Sequence, residues 1–278
     1  MKKQILQVSF SGGRSSAMMC YILKNFKKFD NYHKVFLFAN TGKELEETLV
    51  FADQVDKLFN LNLIWLESKV YHGERKRTSY NIVDFKTADR YGNPFEEVII
   101  KYGLPSKMYR HCTRELKIKP MESYMIDNYG KDFKTALGMR IDEPSRIKPY
   151  DNFVYPLVEV GVNESMVREF WSKMPFDLKL KDYQGNCDLC FLKSTRKKVQ
   201  VLKENKEIST WWIDMEQKYG GNNQPRFDVV RKYTVEELVK ISADSTLFAR
   251  DKFESGKLSK DMFSIVDDID FDCFCSNS

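Results

Sequence analysis

The strongest constraint on the fold is the alternation of apolar strands with amphipathic helices near the start of the chain. Three short apolar runs, 4–10, 35–40 and 61–67, have the length and composition of buried strands. Between them, segments 15–29 and 43–59 carry apolar residues at helical spacing. Strands joined through helices pair in parallel, because a parallel pair needs a long crossover connection. The sequence therefore predicts an α/β fold, a twisted parallel sheet flanked by helices.

The rest of the chain continues this pattern and then becomes mostly helical. Residues 68–92 are polar and irregular and predict a loop or excursion, whereas KTALGMR at 134–140 predicts a fourth strand. Asn163 is the candidate cap of a later helix. We expect an α/β domain over 1–150 and a mostly helical region over 151–278. Apolar spacing predicts helices over 93–102, 116–129, 163–174, 194–205, 208–219 and 234–255.

Composition and charge exclude several classes of protein. Hydrophobic residues make up 42% and charged residues 31% of the 278 residues, which are globular proportions and not those of a disordered or fibrous chain. No apolar run reaches the roughly 18 residues of a membrane helix, and the basic N-terminus lacks a signal-peptide cleavage site. We therefore expect a cytoplasmic protein without a membrane partner. The net charge of +5 permits a phosphorylated ligand or nucleic acid but requires neither.

The turn between the first strand and the first helix has the composition of an anion site. It reads SFSGGRSS over residues 9–16. Paired glycines let the backbone approach a ligand closely, and the N-terminus of the following helix offers unpaired N–H groups with a partial positive charge. The serine hydroxyls and the Arg14 guanidinium add donors. The loop lacks the Walker and dinucleotide fingerprints, and an ordinary strand-to-helix turn with capping serines stays open as the alternative.

Five motifs in one order resemble those of the phosphoadenosine-phosphosulfate (PAPS) reductase family, within the adenine-nucleotide α-hydrolase superfamily (Rossmann-like folds). SFSGGRSS resembles the pyrophosphate loop SGG-x-D-S, and FANTGKE at 38–44 is similar to the family's second nucleotide-site segment. CTRELKIKP at 112–120 resembles C-x-x-x-L-K-x-x-P, and GMRIDEPSR at 138–146 resembles G-x-R-x-x-E-x-x-R. YPL at 155–157, followed by Trp171, resembles the P-L-x-x-W region. The SGGR-type loop is most similar to those of phage-borne members.

The resemblance implies that an adenine nucleotide, either ATP or an adenylyl-sulfate (PAPS or APS), lies across the carboxyl ends of the strands. It also implies that Arg140 and Arg146 are catalytic residues that face the phosphates or the substrate. Surface ion pairs of these arginines with Asp142 or Glu143 are the alternative. The residues implied to bind nucleotide lie in the two loops and at the end of the fourth strand: Ser9, Ser11, Gly12, Gly13, Arg14, Ser15, Ser16, Phe38, Asn40, Thr41 and Gly138.

Two departures from the family pattern bear on the reaction. Ser15 stands where the superfamily has an acid that helps to organise Mg²⁺ in ATP-cleaving members, so Glu44 or Asp142 would have to supply that carboxylate. The reductases end in E-C-G-[IL]-H, whereas this chain has DCFCS at 272–276. Reduction of an adenylyl-sulfate needs a thiolate nucleophile, so Cys275 is the candidate catalytic cysteine and Cys273 its alternative.

The cysteines form the second candidate site. The chain has six, and clustered cysteines in a reducing compartment more often bind metal than form disulfides. Cys187 and Cys190 form C-x-x-C, Cys273 and Cys275 form C-x-C, and Cys112 resembles a cysteine of the cluster-bearing reductases. We expect these five to include the ligands of a [4Fe–4S] cluster. A structural zinc site and a redox dithiol stay open as alternatives.

Further partners are indicated less directly. Basic clusters at 75–77, 117–119 and 196–198, together with Trp211 and Trp212, would suit a nucleic-acid or nucleobase substrate, although each cluster alone is more often a solvated face. A homodimer is kept as a hypothesis.

The function expected from these features is that of a PAPS reductase-like enzyme. It would be either an oxidoreductase acting on an adenylyl-sulfate or an ATP pyrophosphatase or sulfurtransferase. The loop at 9–16 would bind nucleotide, and the cysteine site would supply sulfur or redox chemistry. The alternative is a nucleotide- or nucleic-acid-binding module without catalysis, held together by structural zinc. Ser15 and the missing C-terminal motif favour that alternative.

Overall fold

The centre of the molecule is a six-stranded sheet with strand order β4-β3-β2-β1-β5-β6, seen in a computed structural model that describes residues 3–221, 226–227, 233–244 and 246. Neighbouring strands pair in parallel, except that β4 is antiparallel to β3. The predicted α/β class is therefore confirmed. The strands are β1 Gln4–Phe10, β2 Tyr32–Asn40, β3 Ile64–Lys69, β4 Ser79–Val83, β5 Phe133–Ala136 and β6 Phe153–Val154.

Helices cover the sheet and form most of the C-terminal part that the structure describes. A π-helical segment, Cys112–Ile118, continues directly into α4. The predicted helices over 163–174, 194–205 and 208–219 are confirmed within a few residues, and the end of the one predicted over 234–255 lies outside the described residues. The α-helices are α1 Arg14–Asn25, α2 Glu46–Phe59, α3 Asn93–Tyr102, α4 Lys119–Tyr129, α5 Pro156–Glu159, α6 Glu164–Ser172, α7 Thr195–Glu204, α8 Ser209–Tyr219 and α9 Val235–Asp244.

Apolar layers lie on both faces of the sheet, and a further core lies among the C-terminal helices. On one face Phe10 and Phe38 pack with α1, α2 and Trp171 of α6. On the other, Leu37 and Leu66 pack against Met125 of α4. The further core joins α3 and the π-helical segment to α7, α8 and α9. Burial on both faces explains why the parallel strands read as continuous apolar runs.

Two strands differ from the sequence prediction. The segment 68–92, predicted as a loop, contains β4, whose side chains are exposed or half-buried because it lies at the edge of the sheet. An edge strand lacks the apolar run of a central strand and so escapes pattern analysis. The strand predicted over 134–140 ends at Ala136, after which Leu137 still donates its N–H to Val154 O at 3.0 Å.

Across residues 3–221 and the short described stretches that follow, every helix falls short of the length and apolarity that a bilayer crossing requires.

Candidate functional site

The loop after β1 turns sharply and is braced by its own serines. Ser16 Oγ donates to Gly13 O at 2.9 Å and accepts from the Ser11 N–H at 3.2 Å. Gly12 has φ +78°, and a Cβ there would come within 2.5 Å of Thr48 Cγ2. Gly13 caps α1 without any side-chain hydrogen bond, so the first N–H groups of the helix are not capped by a side chain. The loop therefore has the geometry of an anion site.

Gly138 brings the end of β5 against this loop. A Cβ at Gly138 would lie 2.9 Å from Ser16 Cα and 3.2 Å from Ser16 N, which is too close for any side chain. In the order β2-β1-β5, the connections from β1 and β5 leave the sheet in opposite directions, and α/β sheets bind ligands in the crevice at this switch point. The sequence-predicted residues Ser11, Ser16 and Gly138 thus meet at the switch point.

Arginines from three elements surround a cavity of about 210 Å³ at this crevice, which we call the arginine cavity. Ser11, Ser15, Arg140, Arg146 and Arg168 are among its lining residues. Arg140 Nη1 donates to Ser15 Oγ at 3.1 Å. A small cavity with several arginines and serine hydroxyls at a helix N-terminus suits phosphate groups.

Carboxylates orient these arginines. Arg140 pairs with Asp142 at 3.1 Å and with Glu143 at 3.6 Å, Glu143 also pairs with Arg146, and Arg168 pairs with Glu164 of α6 at 2.5 Å. Burial opposes the charge on Arg140, but the hydrogen bond and charge of Asp142 and the charge of Glu143 outweigh it and raise the pKa of the guanidinium. Arg140 and Arg146 therefore form the ion pairs named as the alternative and also line the cavity, and their contact with phosphates or substrate stays a prediction.

Three other predicted nucleotide residues use their side chains inside the protein. Phe38 is buried against Phe10 and Trp65. Asn40 Nδ2 donates to Glu67 Oε1 at 2.7 Å, and the hydroxyl of Thr41 donates to Glu44 Oε2 at 2.6 Å.

Arg14 likewise has a protein partner. Its Nε donates to Asp177 Oδ1 at 2.7 Å, and its Nη2 donates to Leu178 O. The side chain lines the arginine cavity but ties α1 to the segment that follows α6. Contact of Arg14 with a phosphate stays a prediction.

A second, larger cavity of about 590 Å³ lies between α4 and the strands β1 and β5, and we call it the α4 cavity. Ser9 and Leu137 line it, and Ser11 and Gly138, two residues and one residue further along the same chain segments, line the arginine cavity. The two cavities therefore flank one crevice. Polar side chains of the sheet, apolar side chains of α4 and basic residues line the α4 cavity: Gln7, Ser9, Arg77, Ile118, Lys119, Met121, Glu122, Ile126, Lys131, Phe133, Thr135, Leu137, Asn152 and Phe153.

Residues 185–190 carry the C-x-x-C motif, and we call them the cysteine turn. This turn docks onto the loops at the carboxyl ends of β1 and β2. Asn186 Nδ2 donates to Ser11 O at 2.6 Å, and Asn186 O accepts from the Leu45 N–H at 2.9 Å. The buried ion pair between Lys43 Nζ and Asp188 Oδ2, 2.8 Å apart, adds a third contact. Asn186 also lines the arginine cavity. The residue beside the C-x-x-C motif is therefore part of the candidate site.

The predicted metal ligands are only partly brought together. Cys112 is buried in the C-terminal core, and the half-buried Cys187 and Cys190 pack against the same core. Across the described residues, however, no three histidine, cysteine or acidic side chains form a group that could hold a metal. Cys273 and Cys275 lie outside the described residues. The described thiols and carboxylates do not by themselves form a site for an iron–sulfur cluster or zinc.

The two tryptophans proposed for nucleic-acid contact both pack within the protein, and Trp211 is half-buried. Their contact with nucleic acid stays a prediction. Trp212 is buried and its Nε1 donates to Asp188 Oδ1 at 2.8 Å. Trp211 packs on Phe95, with Lys43 Nζ 5.0 Å from its ring centroid. Trp212 therefore joins α8 to the turn that carries Asp188, and Trp211 packs α8 against α3.

Arg168, Glu164 and Asn186 are site residues that the sequence analysis missed. The predicted cap Asn163 accepts the Met166 N–H at 3.0 Å and so fixes the start of α6, which carries Glu164 and Arg168. The cap located the helix, but no local pattern indicates that one of its faces meets the loop after β1. Contacts between residues far apart in sequence cannot be found from local spacing.

Comparison with known proteins finds a matching family model and several similar proteins. A family model described as a phosphoadenosine phosphosulfate reductase domain matches residues 5–91. The uncharacterized nin region protein ORF290 of Escherichia phage lambda is 31% identical over 195 residues, which cover 68% of this chain and 67% of the phage protein. Two uncharacterized proteins of Methanocaldococcus jannaschii are 26% and 28% identical over 138 and 124 residues, which cover 50% and 45% of this chain but 23% of each archaeal protein.

Proposed function

Because the chain belongs to the phosphoadenosine phosphosulfate reductase family, as a phage-type member, we propose that it is an enzyme that binds an adenine nucleotide in the crevice at the carboxyl ends of β1 and β5. The observation that carries the proposal is the pair of cavities flanking this crevice. The arginine cavity suits phosphates, and the α4 cavity has the size and mixed lining of a small-molecule site. The phosphates would lie in the first and the adenosine would extend into the second.

Each part of the crevice has a definite task in this proposal. The N–H groups at the start of α1 and the hydroxyls of Ser11 and Ser15 would donate to phosphate oxygens. Arg140 and Arg146 would neutralise their charge, and Glu143 would keep both guanidiniums aimed at the cavity. Charge-assisted donors that are already oriented lose little freedom when a phosphate binds.

Two reactions fit this arrangement, and they differ in the bond that breaks. With ATP, a nucleophile attacks the α-phosphate, the bond to the β-phosphate breaks, and pyrophosphate leaves. With an adenylyl-sulfate, a thiolate forms a bond to sulfur and the nucleotide leaves with the bridging oxygen. A second thiol then releases sulfite and closes a disulfide. Cys275 is the proposed nucleophile in the second case.

Product analysis separates the two reactions. Pyrophosphate release from ATP, and sulfite release from PAPS or APS with a dithiol reductant, are measured on one preparation. Arg140→Gln is expected to lower kcat/KM for the active substrate at least about tenfold, because a charged hydrogen bond to phosphate is lost. The exposed Arg196→Gln on α7 is the matched control and should leave the rate unchanged. Release of neither product would refute the enzymatic proposal.

A nucleotide-binding module without catalysis is the second candidate. Glu44 and Asp142, the carboxylates that could replace the missing acid at Ser15, are both engaged. Glu44 accepts from Thr41 and lies 3.6 Å from Lys117 Nζ, and Asp142 pairs with Arg140. If this second candidate is correct, the protein binds ATP but does not cleave it.

The cluster or zinc proposal depends on Cys273 and Cys275, because the described residues do not assemble a metal-binding group. Metal analysis and the visible spectrum of anaerobically purified protein test it. A broad absorption band at about 400 nm that is lost on reduction supports a cluster. A colourless protein with one zinc supports the structural alternative, and a protein with neither refutes both.

A further inference from the structure

We propose that the face beside the α4 cavity binds single-stranded nucleic acid. The face consists of the rings of Tyr102, His111 and Tyr109 together with Arg75 and Arg77, and we call it the ring face. The proposal deepens the proposed function, because it names the class of molecule that would be presented to the α4 cavity.

Three rings form a stack that ends at the surface. Tyr102 and His111 have ring centroids 5.6 Å apart and planes inclined by 26°, and His111 and Tyr109 have centroids 6.2 Å apart and planes inclined by 14°. Tyr109 is 58% exposed, so much of its ring faces solvent. Its carbonyl accepts from the Ser106 N–H at 2.9 Å and its N–H donates to Ser106 Oγ at 3.2 Å, which closes a turn around the ring. A held, exposed aromatic ring is a stacking platform for an unpaired base.

Positive charge lies beside the stack. The Arg114 guanidinium and Lys101 Nζ lie 5.6 Å and 5.5 Å from the Tyr102 centroid. Lys101 Nζ also donates to the carbonyl oxygens of Tyr71 and Lys76 at 2.8 Å and 3.1 Å. These bonds hold the basic segment 75–77 near Lys101, at the Tyr102 end of the stack.

The acids nearby do not neutralise this segment. Glu74 pairs with Lys76, Glu97 pairs with His72, and the buried Glu115 pairs with Arg114. Arg75 and Arg77 are exposed, and neither forms an ion pair with any described residue. Two uncompensated guanidiniums next to a ring stack are suited to a phosphate backbone whose bases lie on the rings.

The ring face continues into the α4 cavity through Arg77. Arg77 lines that cavity together with Lys119 and Lys131. The next residue, Thr78, is buried and bonds to Glu115, and its carbonyl accepts from Ser123 of α4 at 3.0 Å. A strand lying on the rings would therefore pass the guanidiniums on its way to the cavity mouth. A duplex hides its base faces and cannot use the stack, so the geometry favours single strands.

Fluorescence anisotropy with labelled oligonucleotides of about 12 nucleotides, a length within the range of known single-strand sites, tests the proposal. Wild-type protein should bind single-stranded DNA or RNA more tightly than duplex DNA of the same sequence. The DNA and RNA arms then identify the preferred backbone. Tyr109→Ala should weaken single-strand binding at least about fivefold. Replacing Arg75 and Arg77 by alanine should make the negative slope of log affinity against log salt concentration shallower by about 1.4, because two phosphate contacts are lost.

Tyr91→Ala is the matched control, because Tyr91 is 79% exposed and lies outside the ring face. It should bind like wild type. Equal binding of duplex and single strands, or equal affinities of the Tyr109→Ala and Tyr91→Ala variants, would overturn the proposal. ATP binding is measured on the same preparations. If a variant loses oligonucleotide binding but still binds ATP, the substituted residue acts at the ring face. If the protein binds oligonucleotide but not ATP, the proposed nucleotide site in the crevice is wrong and the ring face is not.

Discussion

Gly138 is the single residue on which the crevice depends most clearly. Its α-hydrogen faces the backbone of Ser16, and a backbone atom cannot move aside as a flexible side chain can. We expect Gly138→Ala to destabilise the fold by about 1–3 kcal/mol and to weaken nucleotide binding, because the loop after β1 must shift. Urea unfolding and ATP titration measure the two effects.

Gly221→Ala provides the control for Gly138→Ala. A Cβ at Gly221 meets no atom within 4 Å, so this variant should unfold and bind like wild type. If the two variants unfold indistinguishably, β5 and the loop after β1 pack less closely than the 2.9 Å between a Cβ at Gly138 and Ser16 Cα requires.

Glu67 gives the protein a pH dependence with a definite sign. Burial raises its pKa above the ordinary 4.5, although it accepts hydrogen bonds from the Asp89 N–H and from Asn40. The folded state therefore binds more protons at this group than the unfolded chain does, and stability falls as pH rises from 4.5 through the folded pKa.

Unfolding of wild type and Glu67→Gln at a series of pH values tests this sign. The free energy of unfolding of wild type minus that of the variant should decrease over this range and then level off, because the other titrating groups cancel. A difference that rises with pH would contradict the argument.

At the residue scale, the sequence located the glycines and serines of the phosphate loop but not their partners. Ser11, Ser15 and Ser16 lie at the arginine cavity as expected. Arg14 follows them in sequence, yet it pairs with Asp177, far along the chain. The composition of a turn is local information, whereas the choice among carboxylates is decided by packing.

Among the elements, the cysteine turn is the one whose position bears most on the site. Asn186 joins it to the loop after β1 through one hydrogen bond to Ser11 O. We expect Asn186→Ala to weaken ATP binding about 2–10-fold, since a net hydrogen bond contributes about 0.5–1.5 kcal/mol. Calorimetric titration measures the change.

Asn25→Ala is the matched control, because it removes a comparable hydrogen bond far from the site. Asn25 Nδ2 donates to the backbone carbonyl of Tyr21 in its own helix. This variant should leave ATP affinity unchanged. If Asn186→Ala binds ATP as Asn25→Ala does, the turn contributes nothing to the nucleotide site.

The elements themselves were predictable to different degrees. Helices with a strong apolar face and a cap, such as α6, were found because spacing and capping agree. β4 was missed because its edge position removes the apolar signal, and β6 has only two residues. The helix predicted over 116–129 covers only the end of the π-helical segment, whose distinction from an α-helix lies in hydrogen bonding and not in composition.

For the whole molecule, the C-terminal half completes the core of the N-terminal sheet. Trp171 is buried against Phe51 of α2, and its Nε1 donates to Arg14 O at 3.0 Å. We expect Trp171→Ala to lower the free energy of unfolding by about 3–5 kcal/mol, as for other buried aromatic truncations. Trp171→Phe should lower the free energy of unfolding by less than Trp171→Ala does. If Trp171→Ala lowers it by less than about 1 kcal/mol, the result contradicts this packing. The division at residue 150 stays a prediction.

The central claim is that the crevice at the carboxyl ends of β1 and β5 binds the phosphates of an adenine nucleotide. Equilibrium titration of ATP into wild type and Arg140→Gln tests it most directly, with adenosine and pyrophosphate as competitors. We predict that wild type binds ATP, that pyrophosphate competes more strongly than adenosine, and that Arg140→Gln binds ATP at least about tenfold more weakly. Equal ATP affinity of wild type and Arg140→Gln, or no binding by wild type, would contradict the account.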